Sequence, residues 1–445
     1  MPLNTPQKLP RRTAWSSLGQ TTIGVLFTLI FCPHIFASDT RLQTLAYPQA
    51  TEDESYVFDY PGQVSRWNIA LIELGTASST SAYGGALKTF GSASYGLVVS
   101  RDQSLMTSPG NSDIAASAVS DYSLVNAWLR RTSSTSDTNG IYPAPERPID
   151  LFFGIGDKYS GWGLRATLAS YLKKTDTTPT STTDDAQQLD VGFGYSSLGT
   201  NRLDFGIQLG LLGDLSHTAE DAATKTSSTF KRNLSTVING RYIARQNNTT
   251  STVFKAGLRD RRPEVKTESG KISKSGTFQE DAIDLQGGLQ LEPTPQANVS
   301  VGLAAFYLSS KGPVISKNGV GTGAVADQSI TSTEEKATTS AYGALANVGV
   351  EAKVYDPFGI LAGFSYPLWG RLSQEDKTQT PSTKSERSLP DLPDAAFWRL
   401  GFFVKTDRAR VDASYGVSFL HNGPYLAAGN VTKPMLAQIS GSYLL

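Results

Sequence analysis

Two histidines are the residues of this chain that come closest to a catalytic arrangement. His217 has Asp214 and Ser216 beside it, and His421 has Ser418 nearby. A base, an acid and a hydroxyl nucleophile are what a serine hydrolase needs. Serine and aspartate are frequent in polar loops, however, so these neighbours are also expected by chance. We therefore predict no catalytic residue and no enzyme.

Other signatures of catalysis or cofactor binding are absent from the sequence. It contains no phosphate-binding loop, dinucleotide fingerprint or zinc-ligand spacing, so we predict no cofactor and no metal site. The single cysteine, Cys32, lies in a segment that we interpret below as an export signal. The chain carries 40 basic and 40 acidic residues, and this neutral balance predicts no nucleic-acid partner.

Charged residues that alternate with apolar ones form a second group that could act on a solute. If the apolar neighbours face lipid, the charges face the other way, because a lipid-facing arginine or lysine costs roughly 2–4 kcal/mol at the midplane. Two interpretations stay open, namely ion pairs that brace a wall and a polar pore of weak ion selectivity. In the second case, the basic residues late in the chain favour anions. The predicted lining residues are Arg165, Asp190, Asp204, Arg241, Lys255, Arg259, Asp284, Glu351, Lys353, Arg399, Lys405, Arg410 and Asp412.

Strict alternation of apolar and polar residues is the pattern that would position these charges. In Leu203–Leu211 every odd position is large and apolar, and Asp204 and Gln208 stand between them. Val299–Tyr307 and Val411–Phe419 repeat the pattern. A period of two predicts half-buried β-strands. The runs reach about 10 residues, as a tilted membrane strand requires, whereas ordinary soluble strands are shorter.

The connections between these strands alternate in length. Tight turns such as Ser197–Asn201 and Tyr355–Phe358 alternate with long polar stretches such as Gly213–Ser228 and Asp260–Gln279. Short turns on one side and long loops on the other are typical of barrels in bacterial outer membranes. We predict about sixteen strands, with fourteen as the alternative count. They are Trp67–Gly75, Tyr83–Thr89, Ala93–Arg101, Ile149–Ile155, Trp162–Lys173, Gln187–Ser196, Arg202–Leu212, Thr229–Ala244, Thr250–Arg259, Glu280–Leu291, Ala297–Ser310, Thr338–Val354, Gly359–Gly370, Ala395–Lys405, Ala409–Leu420 and Pro434–Leu445.

The end of the chain also indicates this fold. Its alternating last strand resembles the assembly signal of bacterial outer-membrane β-barrels, in which Tyr443 matches and Leu445 stands where Phe or Trp is usual. Val57–Gln63 and Pro148–Gly156 resemble segments of porin-like barrels. The resemblance implies an all-β, transmembrane antiparallel β-barrel in the outer membrane of a Gram-negative bacterium. It also implies the lipid bilayer and the barrel-assembly machinery as partners.

The sequence divides into an export signal, a short N-terminal segment and the barrel. Residues 1–37 are predicted to be a signal peptide, with a basic start, an apolar run and a small residue for cleavage. Residues 38–66 are predicted to be a periplasmic segment, which either stays on that side or enters the lumen. The barrel covers 67–445, and helical spacing in 112–131 predicts a loop helix that packs over the rim or folds into the pore.

The predicted function follows from the strand count. Sixteen strands leave room for an aqueous channel, so we predict porin-like passive diffusion of small hydrophilic solutes or ions. By analogy with porins, a homo-oligomer is also considered. The alternative is a structural or surface-interaction barrel with a plugged lumen, and a barrel hydrolase is less favoured. Transport of hydrophobic compounds is not supported, because the predicted inward faces are polar.

Overall fold

The computed structural model describes residues 39–45, 53–75, 82–101, 148–157, 159–177, 180–199, 201–220, 225–269, 272–312, 316–319, 337–376, 383–388, 397–415 and 436–445. The predicted signal peptide, the predicted loop helix at 112–131 and His421 lie outside these residues. All described strands belong to one sheet, and every pair in it is antiparallel.

Sixteen of the described strands form a closed barrel, as predicted. The strands are β1 Ile69–Gly75, β2 Tyr83–Phe90, β3 Ala93–Val99, β4 Ile149–Gly156, β5 Ser160–Thr177, β6 Thr180–Leu198, β7 Asn201–Glu220, β8 Lys225–Arg232, β9 Ser235–Asn247, β10 Thr250–Arg261, β11 Pro263–Ser269, β12 Ile272–Thr277, β13 Gln279–Thr294, β14 Ala297–Lys311, β15 Ser316–Gly319, β16 Ala337–Tyr355, β17 Phe358–Asp376, β18 Thr383–Ser388, β19 Phe397–Lys405, β20 Ala409–Tyr415 and β21 Leu436–Leu444. The last strand pairs with the first, with Tyr443 opposite Ala70, and this pairing closes the ring.

The two faces of the barrel wall differ as the alternation predicts. On β4, Leu151 and Ile155 point outward and are exposed, whereas Asp150, next to Leu151, is fully buried inside. On β7, Leu203 is exposed and the neighbouring Asp204 is buried. An exposed apolar face around a closed antiparallel barrel is what a surrounding bilayer requires. The chain is therefore an outer-membrane β-barrel, and the predicted fold and localisation are confirmed.

Five strands extend the wall beyond the barrel where the sequence predicts long loops. The end of β7 pairs with β8, β8 pairs with β11, β11 with β12 and β12 with β15. On the other side of the barrel, β17 pairs with β18. The prediction that Gly213–Ser228 and Asp260–Gln279 are loops throughout is wrong. These stretches are mainly polar, so apolar alternation gives little signal there, although their threonines favour strands.

The first four strands carry apolar residues on both faces. Inside the barrel, Leu87, Val98 and Phe152 pack in one cluster with Val57 and Phe58 from the chain before β1. That chain forms an α-helix α1 at Asp39–Thr44 and two 3-10 helices, η1 at Glu54–Phe58 and η2 at Pro61–Arg66. In the part of the chain that the structure describes, no helix is long and apolar enough to cross a membrane.

The outer surface of the barrel is concave on one side. Trp162 of β5 and Trp369 of β17 line the same apolar cavity of about 1110 Å³, together with residues of the strands between them, among them Gly240 and Ala256. These tryptophans lie on strands that are far apart around the wall. They can share a cavity only if the outer surface of the intervening strands β9, β10, β13 and β14 is concave.

Adjacent residues in the middle of β13 test which face meets lipid. Leu285 is 55% exposed on the outside, whereas Gln286 faces the lumen. We expect Leu285→Arg to destabilise the barrel by roughly 2–4 kcal/mol, because the charge would lie in hydrocarbon. Gln286→Arg should change the free energy of unfolding far less. Denaturant unfolding of both variants in lipid vesicles measures the difference, and equal destabilisation would contradict the assignment of faces.

Candidate functional site

The chain before β1 lies inside the barrel. We call residues 39–45 and 53–66 the N-terminal segment. Every residue from Asp53 to Ser65 is buried, and the segment contacts side chains that point inward from the wall. Of the two placements that the sequence leaves open for it, the described residues occupy the lumen.

Phe58 is the point at which the segment is fixed to strands β4, β5 and β7. Its carbonyl oxygen accepts hydrogen bonds from Arg165 Nη1 at 3.1 Å and from Gln208 Nε2 at 2.7 Å. The guanidinium of Arg101 lies 3.7 Å from the centre of its ring. Arg165 is itself held by Asp150, with Nη2 at 2.6 Å from Oδ1. A charge pair of the wall therefore holds the backbone of the segment as well as bracing the strands.

Asp204 on β7 is the second fixed point. Its carboxylate lies 2.7 Å from Arg241 of β9, 2.8 Å from Arg202 of β7 and 3.9 Å from Arg66 of the segment. The Arg241 guanidinium also lies 4.1 Å from the ring centre of Tyr56 in η1. One buried carboxylate thus joins the guanidinium groups of two strands to the end of the N-terminal segment.

Glu351 on β16 is the third fixed point and holds α1. Arg41 Nη2 lies 2.6 Å from Glu351 Oε2, and Arg410 Nη1 lies 2.6 Å from Oε1. Arg410 also pairs with Asp412 at 2.8 Å, and Arg41 approaches Asp53 at 3.6 Å. The same network therefore connects α1, η1, β16 and β20.

The pKa of one carboxyl group in the N-terminal segment is shifted upward by its surroundings. Glu54, the first residue of η1, is 2% exposed. Burial and the adjacent Asp53 carboxylate raise the pKa of Glu54 well above its usual range. The neutral form of this side chain is therefore favoured inside the barrel.

Glycines on the inner face of the wall allow the segment to approach so closely. A Cβ atom at Gly163 would lie 2.0 Å from the Pro61 carbonyl oxygen, and one at Gly206 would lie 2.0 Å from that of Asp59. No side chain fits at such distances, so only glycine is compatible with this contact. These glycines alternate with apolar residues in the sequence, and their clustering on neighbouring strands is the signal that could have located the segment.

The charged residues predicted to line the lumen point inward and occupy four environments. The first group takes part in the ion pairs around the N-terminal segment, and it comprises Arg165, Asp204, Arg241, Glu351, Arg410 and Asp412. Lys255 and Arg259 are buried on β10, and Asp190 is buried on β6. Asp284 and Arg399 are partly exposed, and Lys353 and Lys405 are exposed beside short turns. Whether any of them lines a solute path stays a prediction.

The prediction that no inward face is apolar is wrong. Phe306 and Leu308 on β14 point inward and are buried. On β17 and β19, Leu361 and Phe403 pack against Leu45 at the end of α1. Apolar and polar residues alternate along a strand only where its inner face meets water. Here the inner face packs against other parts of the protein, so apolar residues occur on it too.

One stretch of the inner wall remains polar and partly open to solvent. Asp284 and Gln286 of β13, Ser300 of β14 and Asn347 of β16 all face inward and are partly exposed. Asn347 Oδ1 accepts a hydrogen bond from Ser365 Oγ at 2.7 Å. Neutral donors and acceptors thus dominate this strip, which we call the polar strip.

The remaining predicted site residues lie away from the N-terminal segment. Tyr443 is paired with Ala70 and Ala409, and the Leu445 backbone N–H donates to the Asn68 carbonyl at 2.7 Å. Both residues therefore belong to the closing strand pairs, and their role in assembly stays a prediction. His217 Nδ1 lies 2.5 Å from Asp184 Oδ1, on the extension of the wall beyond the pairing of β7 with β9.

Two glycines of the wall test the close packing of the segment. Gly206→Val should force the segment away from β7, since overpacking of this kind costs typically 1–3 kcal/mol. Gly240→Val is the control, because a Cβ atom there meets nothing within 4 Å. In a Ser55→Cys background, maleimide should label the Gly206 variant roughly tenfold faster, as expected for about 1.4 kcal/mol. Equal labelling rates in both variants would contradict the close contact.

Comparison with known proteins adds little to this description. No protein-family profile matches the chain, and no curated protein matches it in sequence. Among solved structures, it is similar to the toluene transporter TodX of Pseudomonas putida, with a TM-score of 0.38, 11% identity, and coverage of 91% of this chain and 98% of that one. A FadL homologue of Pseudomonas aeruginosa gives a TM-score of 0.41 at 12% identity, covering 93% and 99%. The ferric yersiniabactin receptor FyuA of Yersinia pestis gives 0.35 at 9%, covering 84% and 79%. These scores are too low to carry an argument, and the architecture rests on the strand pairing itself.

Proposed function

We propose that the protein is an outer-membrane transport barrel that passes small hydrophilic solutes along the polar strip. The observation that carries the proposal is the partial exposure of Asp284, Gln286, Ser300 and Asn347 inside a lumen in which many of the other described inward side chains are buried. Such a strip offers a solute hydrogen-bond partners in place of water. The N-terminal segment occupies the rest of the width and restricts the path.

The two ends of the N-terminal segment are attached in different ways. Around η1 and η2, Val57, Phe58 and Val64 are fully buried in an apolar cluster with strands β1 to β4. At α1, Arg41 pairs with Glu351, and Leu45 packs on two wall residues. Less apolar contact must be given up to move α1 than to move η1 and η2. Release of α1 is therefore the step that would widen the path beside the polar strip.

A surface-interaction barrel is the second candidate. It is favoured by the continuation of the wall into β8, β11, β12 and β15, whose residues are mainly Ser, Thr and Lys. An extended polar sheet of this kind offers hydrogen-bonding area to a partner outside the cell. No hydrolytic role is proposed for His217, and a homo-oligomer stays a prediction.

Removal of one ion pair tests the transport proposal. In Arg41→Ala, Glu351 keeps its contact with Arg410, and Asp53 keeps its hydrogen bonds from Ser55. We expect the refolded mature protein to give small conductance steps in a planar lipid bilayer. The variant should give larger or more frequent steps, because α1 is released.

Arg371→Ala is the matched control, since Arg371 is half exposed and pairs with Glu386 on β18, away from the N-terminal segment. It should leave the conductance of the barrel unchanged. Correct folding is recognised by heat-modifiable gel mobility. If folded wild type and the folded Arg41 variant both give no conductance, the transport proposal is contradicted. That result would favour the surface-interaction barrel.

A further inference from the structure

Arg259 stands out among the charged residues of the lumen because the described residues satisfy it poorly. It lies on the inner face of β10, and its side chain is 6% exposed. The guanidinium atoms Nε and Nη2 are buried and make no hydrogen bond within the described part of the chain. A buried charged donor without an acceptor is costly, so the position calls for an acceptor.

The nearest carboxylate is already shared. Glu280 on β13 is fully buried, and its Oε1 atom makes a short contact with Arg261 Nη2. The same oxygen lies 3.4 Å from Arg259 Nη2, in a geometry that gives an ion pair without a hydrogen bond. Two guanidinium groups thus share one carboxylate oxygen atom, and the Nε and Nη2 donors of Arg259 lack a hydrogen-bond acceptor among the described residues.

The inward charges of β10 and β13, the strands that carry Arg259 and its nearest carboxylate, sum to plus one. Three cations, Lys255, Arg259 and Arg261, point inward from β10, whereas β13 contributes the two carboxylates Glu280 and Asp284. The Asp284 carboxylate lies over Gly257, where a Cβ atom would be 2.2 Å from Oδ1. A monoanion would neutralise this group of charges, whereas a dianion would leave an excess of negative charge beside two carboxylates.

The position of Arg259 connects it with the polar strip. Asp284 is partly exposed to the lumen, and it stands opposite Gly257, two residues from Arg259 along β10. On the same level of the wall, Arg259 is paired with Ala282, which in turn is paired with Leu308. The guanidinium therefore lies at the edge of the open strip, with small and apolar side chains beside it.

We propose that Arg259 binds the carboxylate group of a small monoanionic solute as it passes the polar strip. The planar guanidinium fork matches a carboxylate and can donate two parallel hydrogen bonds to it. Ala282 and Leu308 are the apolar side chains next to which the body of such a solute would lie. This inference rests on the proposed transport function, and it names a class of solute and the residue that selects it.

Equilibrium binding tests the site without requiring a current. Saturation-transfer NMR on the refolded full-length mature barrel would use butyrate as the probe and butyramide as its neutral counterpart. The wild type should bind butyrate in preference to butyramide, and Arg259→Gln should weaken butyrate binding at least tenfold, or about 1.4 kcal/mol. Arg259→Lys keeps the charge without the fork and should bind with intermediate affinity.

Arg262→Gln is the matched control, because Arg262 is exposed and pairs with Asp260 outside the lumen. It removes one positive charge near the end of β10 and should leave butyrate binding unchanged. Absence of butyrate binding by the wild type would overturn the site, as would equal losses in the Arg259 and Arg262 variants. If the barrel conducts ions but does not bind butyrate, only the Arg259 site is refuted. If it binds butyrate but never conducts, the proposed transport path is refuted.

Discussion

The hydrogen-bonding demand of the backbone in lipid is the constraint on which this structure depends. Hydrocarbon offers no partner for a free N–H or C=O group, so a sheet in a membrane must have no edge. The pairing of β21 with β1 meets that demand, from Ile69 opposite Leu444 to Gly75 opposite Gln438. Once the ring is closed, each strand has one face in lipid and one inside, and charges at the level of the hydrocarbon must take the inner face.

The charges collected inside then need partners, and the N-terminal segment supplies part of them. The Phe58 carbonyl completes the coordination of Arg165, and Arg41 of the segment balances Glu351 together with Arg410. In return, wall residues satisfy polar groups of the segment that would otherwise be buried without a partner. The segment and the wall therefore stabilise each other. Most of these lumen charges bind the segment to the wall, and fewer are available to bind a solute.

The sequence predicts the wall better than it predicts the contents of the barrel. Alternation in β7 and β14 identifies strands because lipid selects apolar side chains on one face, and this physical demand is local. In β1 to β4 the polar pattern is interrupted, because inner residues such as Leu87 and Phe152 pack on the segment. The partners of Asp204 and Glu351 are brought together only by closure of the ring. Arg41 and Glu351 are far apart in the sequence. A contact between such distant residues produces no periodic pattern in a single sequence, so it could not be predicted.

Strand β10 lies between the outer concave surface and the proposed path. Gly240 and Ala256 place small residues on the outside of β9 and β10 beside Tyr242 and Phe254, and the cavity there shows that the outer surface is concave. On the inner face of β10, Arg259 stands two residues from Gly257, which is opposite Asp284 of the polar strip. A solute on the polar strip would therefore pass close to Arg259, so selectivity would be set by the side chains of β10 and β13 more than by the strand count.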